Sequence, residues 1–329
     1  MPDSAPQTSA VVAAMRNEGL FVLEWVAYHR LIGFDRIVIC TNDCTDGSDR
    51  LLDVLQDRGF VTHLRTRIPV GGSPQEVGFD TARAALFDGD IEWVCHIDAD
   101  EFLNIGLGLG LVRDLLDEAG EGDVIALPWW HFGDAGQTEW RGDILPTFTT
   151  CETAPDPETV KFKSMFRFRK FAGANDHMPV RPLVDEPVVM NARGEELRNA
   201  PLFAPKRAKY RPIPKALRHK SACVNHYAVK SRDVFLMKND RGDGQGKSSQ
   251  KYYLGSRWHT RANCNDGEDH SIQRHWPGVA AILKDWRADA GIGAAEKACI
   301  DWFTARKAHV LTPDTIAAWT HADYTGDAS

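Results

Sequence analysis

An α/β fold built on a mainly parallel sheet with helices on both faces is predicted by two observations. Strand-like and helix-like segments alternate through the first 130 residues at the spacing of repeated β-α units, and one strand-like run, Trp93 to Ile97, opens directly into Asp98-Ala99-Asp100-Glu101. Ala10 to Met15 reads as a short apolar strand, broken by Arg16-Asn17-Glu18-Gly19. Leu20 to Ile32 reads as a helix, with Phe21, Val22, Trp25, His29 and Ile32 near one face and Gly33 as its stop. Arg36 to Cys40 is the second strand, Thr41 to Ser48 a polar loop, and Asp49 to Arg58 a helix closed by Gly59. Phe60 to Leu64 is a third strand, Glu76 to Phe87 a helix, Trp93 to Ile97 a fourth strand, Leu109 to Ala119 a helix and Val124 to Trp130 a fifth strand. Beyond Trp130 the alternation stops, and the Gly-, Pro- and aromatic-rich stretch to about residue 215 predicts long loops and antiparallel strands laid over one side of the sheet. Val160 to Phe171 alternates basic and aromatic residues, as a strand presenting cations on one face or as an edge strand whose lysines deter aggregation. Val279 to Arg287 and Ala294 to Lys307 read as closing helices, a loop-rich and helical elaboration at the C-terminal end.

Composition narrows the function class. Of 329 residues, 43% are hydrophobic and 26% charged, the balance of an ordinary globular protein. A net charge of -7 argues against a general nucleic-acid binder, which needs a cationic surface, though it is compatible with a local basic groove. Met1 to Ala10 lacks the basic flank and apolar core of a signal peptide, and no apolar run approaches the ~20 residues of a membrane span, so cytoplasmic residence is expected. The seven cysteines are an odd number and form no Cys-x-x-Cys pair, which suggests neither a zinc knuckle nor a full disulfide framework.

The acidic triplet carries the chemistry. A strand that opens at its carboxyl end delivers the next side chains into the crevice where open α/β sheets bind ligands, and two carboxylates there suit Mg²⁺ or Mn²⁺ carrying a phosphate. The plainer alternative is a turn in which Asp98 caps a following helix.

Three ordered blocks bear a family resemblance. Val12-Ala13-Ala14-Met15-Arg16-Asn17-Glu18, followed by Leu23 to Phe34, resembles the start of family-2-like glycosyltransferases with the GT-A fold. Thr41-Asn42-Asp43-Cys44-Thr45-Asp46-Gly47-Ser48 looks like their nucleotide-binding loop, and Asp98-Ala99-Asp100-Glu101-Phe102 falls where their Asp-x-Asp metal motif stands. A fourth block, Val224-Asn225-His226-Tyr227 through Val234-Phe235, continued by Lys238 and Arg241-Gly242, is similar to the downstream signature of a subgroup of these proteins. The resemblance covers roughly residues 10 to 245. It implies a GT-A type, Rossmann-like domain over 1–245, with a nucleotide half at 10–130 and an acceptor half at 131–245, and a C-terminal helical extension at 246–329.

The resemblance also implies a metal-dependent transfer, inverting in outcome, from a nucleotide-sugar donor, a UDP-sugar first among them, to a glycan or other hydroxyl acceptor in polysaccharide or glycan assembly. Such a donor loses a diphosphate whose growing charge must be neutralised, and a cation held by Asp98 and Asp100 does this as a Lewis acid. By resemblance Asp100 is the more direct metal ligand, while Asp98 reaches the ribose or the metal. Glu101 either orients the site from behind or is a helix-start carboxylate. Asp43 corresponds to the acid that contacts the base, and Asp46-Gly47 supplies a turn and helix cap. Arg16, Asn17 and Glu18 follow the first strand, where a nucleotide crosses the switch point, although Glu18 equally suits the start of the helix. His226, in a loop-like block, is either a structural histidine or a distal metal ligand that favours Mn²⁺ over Mg²⁺. Lys163, Arg167, Lys230, Lys238 and Arg241 are candidates for diphosphate or acceptor contacts, or else solvated surface charges. Asp134, after Trp129-Trp130-His131-Phe132-Gly133, is the candidate general base, with Glu139 as runner-up and a Gly-Asp turn as the plainer alternative.

Rival readings are a sugar-phosphate nucleotidyltransferase, which needs a Gly-rich phosphate loop that Ala14 to Gly19 lacks, and a silent carbohydrate-binding scaffold. A dehydrogenase is disfavoured because no Gly-x-Gly-x-x-Gly follows the first strand. Peripheral membrane association is left open.

Overall fold

The computed structural model describes residues 7–204, 208–241 and 251–321. Its first part runs β1 (Ser9–Met15), α1 (Val22–Leu31), β2 (Arg36–Thr41), α2 (Ser48–Asp57), β3 (Thr62–Arg65), α3 (Pro74–Leu86), β4 (Trp93–His96), β5 (Glu101–Ile105), α4 (Val112–Ala119) and β6 (Val124–His131). There follow α5 (Ile144–Thr147), β7 (Thr150–Cys151), β8 (Phe162–Arg167), β9 (Phe171–Ala174), β10 (Pro179–Pro182), β11 (Val189–Asn191), β12 (Glu196–Leu197), α6 (Ile213–Ala216), β13 (Ala222–His226) and α7 (Arg232–Arg241). The chain closes with α8 (Arg257–Ala262), β14 (Gly267–Glu268), α9 (Trp276–Ala288), α10 (Ala290–Val310) and α11 (Pro313–Ala318). The residue 245/246 boundary expected from the sequence lies outside the described residues, as do Gly242 and the first six residues.

The central sheet has the order β12-β11-β6-β8-β4-β1-β2-β3, with β13 joined to both β5 and β6. β1 pairs in parallel with β2 and β4, β2 with β3, and β6 with β11 and β13. The expected mainly parallel sheet flanked by helices is therefore present. β1 is an unbroken run of small and branched apolar residues because both faces of a central parallel strand are covered. On one side Val22, Leu51, Leu55, Leu115, Leu283 and Phe303 bring α1, α2, α4, α9 and α10 into one apolar cluster. On the other, Phe79 and Ala82 of α3 meet Phe162, Phe166 and Tyr210.

The C-terminal helices are integral to this arrangement. A side-chain carbon at Gly19 would sit 2.6 Å from Cys299, so α10 packs directly beneath the loop that leaves β1. α10 itself begins at Asp289, whose carboxylate accepts from the backbone N–H of Gly291 at 2.9 Å and Ile292 at 3.0 Å.

Four elements differ from the sequence expectation. The 160–171 segment forms β8, which is no edge strand: it runs antiparallel between β4 and β6, and Lys163 within it is fully buried. Glu101 starts a strand, β5, rather than a helix, so Asp98 caps no helix. Polarity hid this strand, since its buried Glu101 and Asn104 find partners far along the chain. His226 ends strand β13, not a loop, and its block continues into helix α7. Leu109 is exposed and precedes α4, because Gly108 and Gly110 both take positive φ (46° and 81°) and keep the helix from starting there.

β13 holds its place by a close backbone approach. Gly106 donates to the Ser221 carbonyl at 2.8 Å, and a side-chain carbon at Gly106 would lie 1.9 Å from the Lys220 carbonyl oxygen. Gly106→Ala is expected to cost about 1–3 kcal/mol by forcing β5 and β13 apart. A urea melt checks this, and an unchanged midpoint would refute the packing.

Candidate active site

Parallel strands open their carboxyl ends at one edge, and that edge holds a cleft of about 710 Å³. Arg16 and Glu18 after β1, Asn42 and Asp43 after β2, and Gln75 of α3 form its near wall. Asp98 and Asp100 form the floor. Trp129 and His131 of β6, Lys161, His177, and Trp258 and Arg261 of α8 form the far wall, and Lys238 and Arg241 of α7 close one side.

The acidic residues sit in a tight turn. The Glu101 N–H donates to the Asp98 carbonyl at 3.1 Å, and the Glu101 carboxylate accepts from the Asp98 N–H at 2.9 Å. The Trp25 indole donates to the carbonyls of both Asp98, at 3.1 Å, and Glu101, at 2.9 Å, which fastens the turn to α1. Lys163 Nζ lies 3.0 Å from Asp98 Oδ2 and 3.1 Å from Glu101 Oε2, while Gln75 donates to Asp98 Oδ1. Burial raises both carboxyls and Lys163 opposes it; their joint field in turn holds the proton on Lys163 against its own burial.

Asp100 has a separate cationic surround. Its Oδ2 is 2.8 Å from Lys238 Nζ and 3.9 Å from Lys230 Nζ, and its Oδ1 is 3.8 Å from His226 Nε2. Burial pushes this carboxyl up, but Lys238 and then Lys230 more than offset it and hold it well below the usual range. Burial pushes His226 far below the ordinary imidazole value, so it is neutral, and among the described residues its Nδ1 has no hydrogen-bond partner. Lys230 is buried, likewise with no hydrogen-bond partner among the described residues, its ammonium 4.3 Å from the centre of the Phe21 ring, and burial lowers it to about 7. Burial, then the charges of Arg261 and Lys161, lower His131 to about 4.

Other expected residues have different placements. Asn17 binds the Thr45 hydroxyl at 3.0 Å and the Thr45 N–H at 2.7 Å, joining the loops after β1 and β2 rather than lining the cleft. Glu18 lines the cleft, is ion-paired with Arg241, and also begins α1 through its carbonyl. Arg16 and Asp43 are exposed at the near wall. Asp46 accepts from Gly19 N at 2.8 Å and Ser48 N at 2.9 Å, and Gly47 at φ 87° starts α2, which is the turn its spacing suggests.

Arg167 is not brought to the site. Because β8 runs antiparallel to β4, Lys163 reaches the open edge while Arg167 pairs opposite Trp93 at the far end, bound to Glu92 and to the Gly122 carbonyl. Asp134 likewise stands outside the cleft lining: its carboxylate accepts from Gly136 N at 2.9 Å, Asn263 at 3.1 Å and Asn265 at 3.3 Å, the Gly-Asp turn of the plainer alternative. Glu139 is exposed and also outside the lining. Gln75, Lys161, Asp176, Trp258 and Arg261 were not singled out as cleft residues from the sequence. Lys161 carried a signal, the basic alternation of its segment, and the others had none.

No protein-family model matches the chain. Curated relatives do. A glycosyltransferase family 92 protein of Ricinus communis is 34% identical over 150 residues, covering 44% of this chain and 26% of that protein. Another of the same description, from Oryza sativa subsp. japonica, is 30% identical over 164 residues, covering 48% of this chain and 26% of that protein. The chain therefore spans 26% of the length of each of these relatives. Among solved structures, S. aureus TarS 1-349 gives a TM-score of 0.36 at 12% identity, over 95% of this chain and 83% of that one. Glucosyl-3-phosphoglycerate synthase from Mycobacterium tuberculosis, in complex with Mn²⁺, UDP and glucosyl-3-phosphoglycerate, gives 0.24 at 12% identity over 36% of this chain and 43% of that one. These scores are too low to carry a functional reading.

Lys163 is the counter-charge of a fully buried acid. Lys163→Met is expected to lose about 3–5 kcal/mol of stability by leaving Glu101 and Asp98 without it. Adding Glu101→Gln should recover part of that loss; urea denaturation of both variants checks it, and equal midpoints for Lys163→Met and the parent would refute it.

Proposed function

We propose that this chain is a glycosyltransferase that moves a sugar from a nucleotide-diphosphate donor to an acceptor hydroxyl. One observation carries the reading: at the open edge of a parallel sheet, Asp100 Oδ1 faces the neutral His226 Nε2 across 3.8 Å, with two lysine amines beside the same carboxylate. The glycosyltransferase family 92 proteins that this chain resembles support the same activity.

A divalent cation fits this pair. The two atoms are too far apart to hydrogen-bond with each other, the imidazole is deprotonated as a ligand must be, and both line the cleft. A nitrogen ligand favours Mn²⁺ over Mg²⁺. Among the described residues no group of three or more His, Cys, Asp or Glu gathers closely enough to enclose an ion. Asp100 and His226 would thus hold it from one side, leaving further positions to diphosphate oxygens and water, as is usual for nucleotide-bound cations. When bound, the cation supplies Lewis-acid neutralisation of the departing diphosphate. Asp98, with its oxygens engaged by Gln75 and Lys163, is assigned to the ribose instead.

The chain's own cations share the work. Lys238, which lines the cleft, stands where charge develops on the leaving group, while Lys230, buried outside the lining and 3.9 Å from Asp100, adds its charge from behind that carboxylate. Arg16 and Asp43 on the near wall are assigned to the nucleoside. An inverting transfer also needs a base at the acceptor. Asp176 replaces Asp134 in that role, because it lines the cleft, whereas the Asp134 carboxylate is bound by Asn263 and Asn265 outside the lining.

Calorimetric titration of UDP should show binding that strengthens with Mn²⁺ in the parent protein. Asp100→Ala should abolish the Mn²⁺ dependence and lower transfer by about 10²-fold or more. Binding and turnover in that variant equal to the parent's, with chelator present, would remove the metal assignment. His226→Ala should weaken Mn²⁺ binding specifically, and an unaltered Mn²⁺ titration would exclude the imidazole as a ligand.

A further inference from the structure

The far wall of the cleft has a chemistry that the donor does not use. Lys161 lies just before β8, with its ammonium 5.3 Å from the centre of the Trp129 ring. Arg257 and Arg261 lie four positions apart on α8, hence on one helix face, and both line the cleft with Trp258 between them. Arg261 also donates to the Thr159 carbonyl, which fixes it beside the segment that carries Lys161. The charges of Arg261 and Lys161 both act on His131, so the two cations face the same space at the end of β6.

These cations form no close ion pair among the described residues. Among the described residues no carboxylate lies within 4.0 Å of Lys161, Arg257 or Arg261. Several other arginines in this acidic chain have close carboxylate partners: Arg58 with Asp289, Arg65 with Asp53, Arg287 with Asp143, and Arg306 with Asp240. Asp176 acts on Lys161 and Glu152 on Arg261 only from beyond that distance, so the wall presents its cations at close range, and a concave surface concentrates their potential. The same wall carries aromatic faces: Trp129 and Trp258 flank His226, with ring centres 4.3 and 6.2 Å from the imidazole. Indole faces suit the apolar C–H surface of a sugar, and guanidinium forks suit phosphate or carboxylate oxygens.

We propose that the acceptor is an anionic saccharide, a sugar carrying a phosphate or carboxylate group. It would stack on Trp258, beside the Trp129 that backs this wall, and place its anion on Arg257 and Arg261, with Lys161 as the third cation. The inference rests on the glycosyltransferase reading for which side of the cleft holds the donor, but the affinity of this wall for anionic sugars is measurable apart from turnover.

The test uses the full chain and calorimetry. UDP with Mn²⁺ is titrated first; absence of binding there counts against the proposed function, not against the far wall. Glucose 6-phosphate, glucuronate and glucose are then titrated into both the free and the UDP-loaded protein. At least one anionic sugar is expected to bind, glucose about tenfold or more weaker, and the Arg257→Gln/Arg261→Gln double variant to lose that preference. Which anion binds identifies phosphate or carboxylate as the recognised group. Thermal melting by circular dichroism establishes that the double variant is folded, and single Arg257→Gln, at an exposed position, supplies the comparison if it is not. Equal binding of glucose and both anionic sugars, no binding of either anion, or undiminished anion preference in folded variants would overturn the proposal. So would a loss of UDP binding in the folded double variant, since that would assign the arginines to the donor.

Discussion

A lysine with no access to solvent holds the cleft floor in place. Lys163 Nζ bridges Asp98 and Glu101, and neither Lys163 nor Glu101 has any exposed side-chain surface. Removing such charges from water costs several kcal/mol per ion, and only close, multiple contacts offset it. The turn between β4 and β5 can therefore keep its shape only if β8 delivers the ammonium to that point. β8 does so because it is inserted antiparallel between β4 and β6, which puts its first residues at the open edge. Sheet topology and site geometry are thus one constraint.

The same logic separates the two aspartates. Asp98 shares its cation with Glu101 and leans on α3 through Gln75, whereas Asp100 faces Lys238, Lys230 and His226 from the later part of the chain. Two carboxylates in one short turn therefore meet opposite electrostatic surroundings: burial raises the first, and neighbouring cations depress the second. The intervening Ala99 is buried, which leaves the two acids to project from either side of it.

Much of this was legible in the sequence, and the parts that were not share a cause. The apolar strand ending in Asp98-Ala99-Asp100 and the alternation of early elements are local signals, and they placed the sheet and the cleft floor correctly. Lys163 was readable as a cation but not as a buried one, because its partners belong to another strand. β5 was hidden by Glu101 and Asn104, whose polarity is satisfied only in the folded sheet. Asp134 illustrates the opposite error: an acid after aromatic residues looked like chemistry, yet Asn263 and Asn265 engage it. Arg167 failed by register, since four residues along an antiparallel strand separate the open edge from the closed one.

The contact of Gly19 with Cys299 has a consequence for folding. The loop leaving β1 lies on α10, a helix far along the chain from it. Contacts between such distant positions form late, because closing so long a loop costs entropy before packing repays it. β1 to β4 can pair among themselves, yet the loop after β1 has no floor until α10 has docked. The cleft wall at Arg16 and Glu18 is thereby completed by a long-range contact rather than by the strands alone.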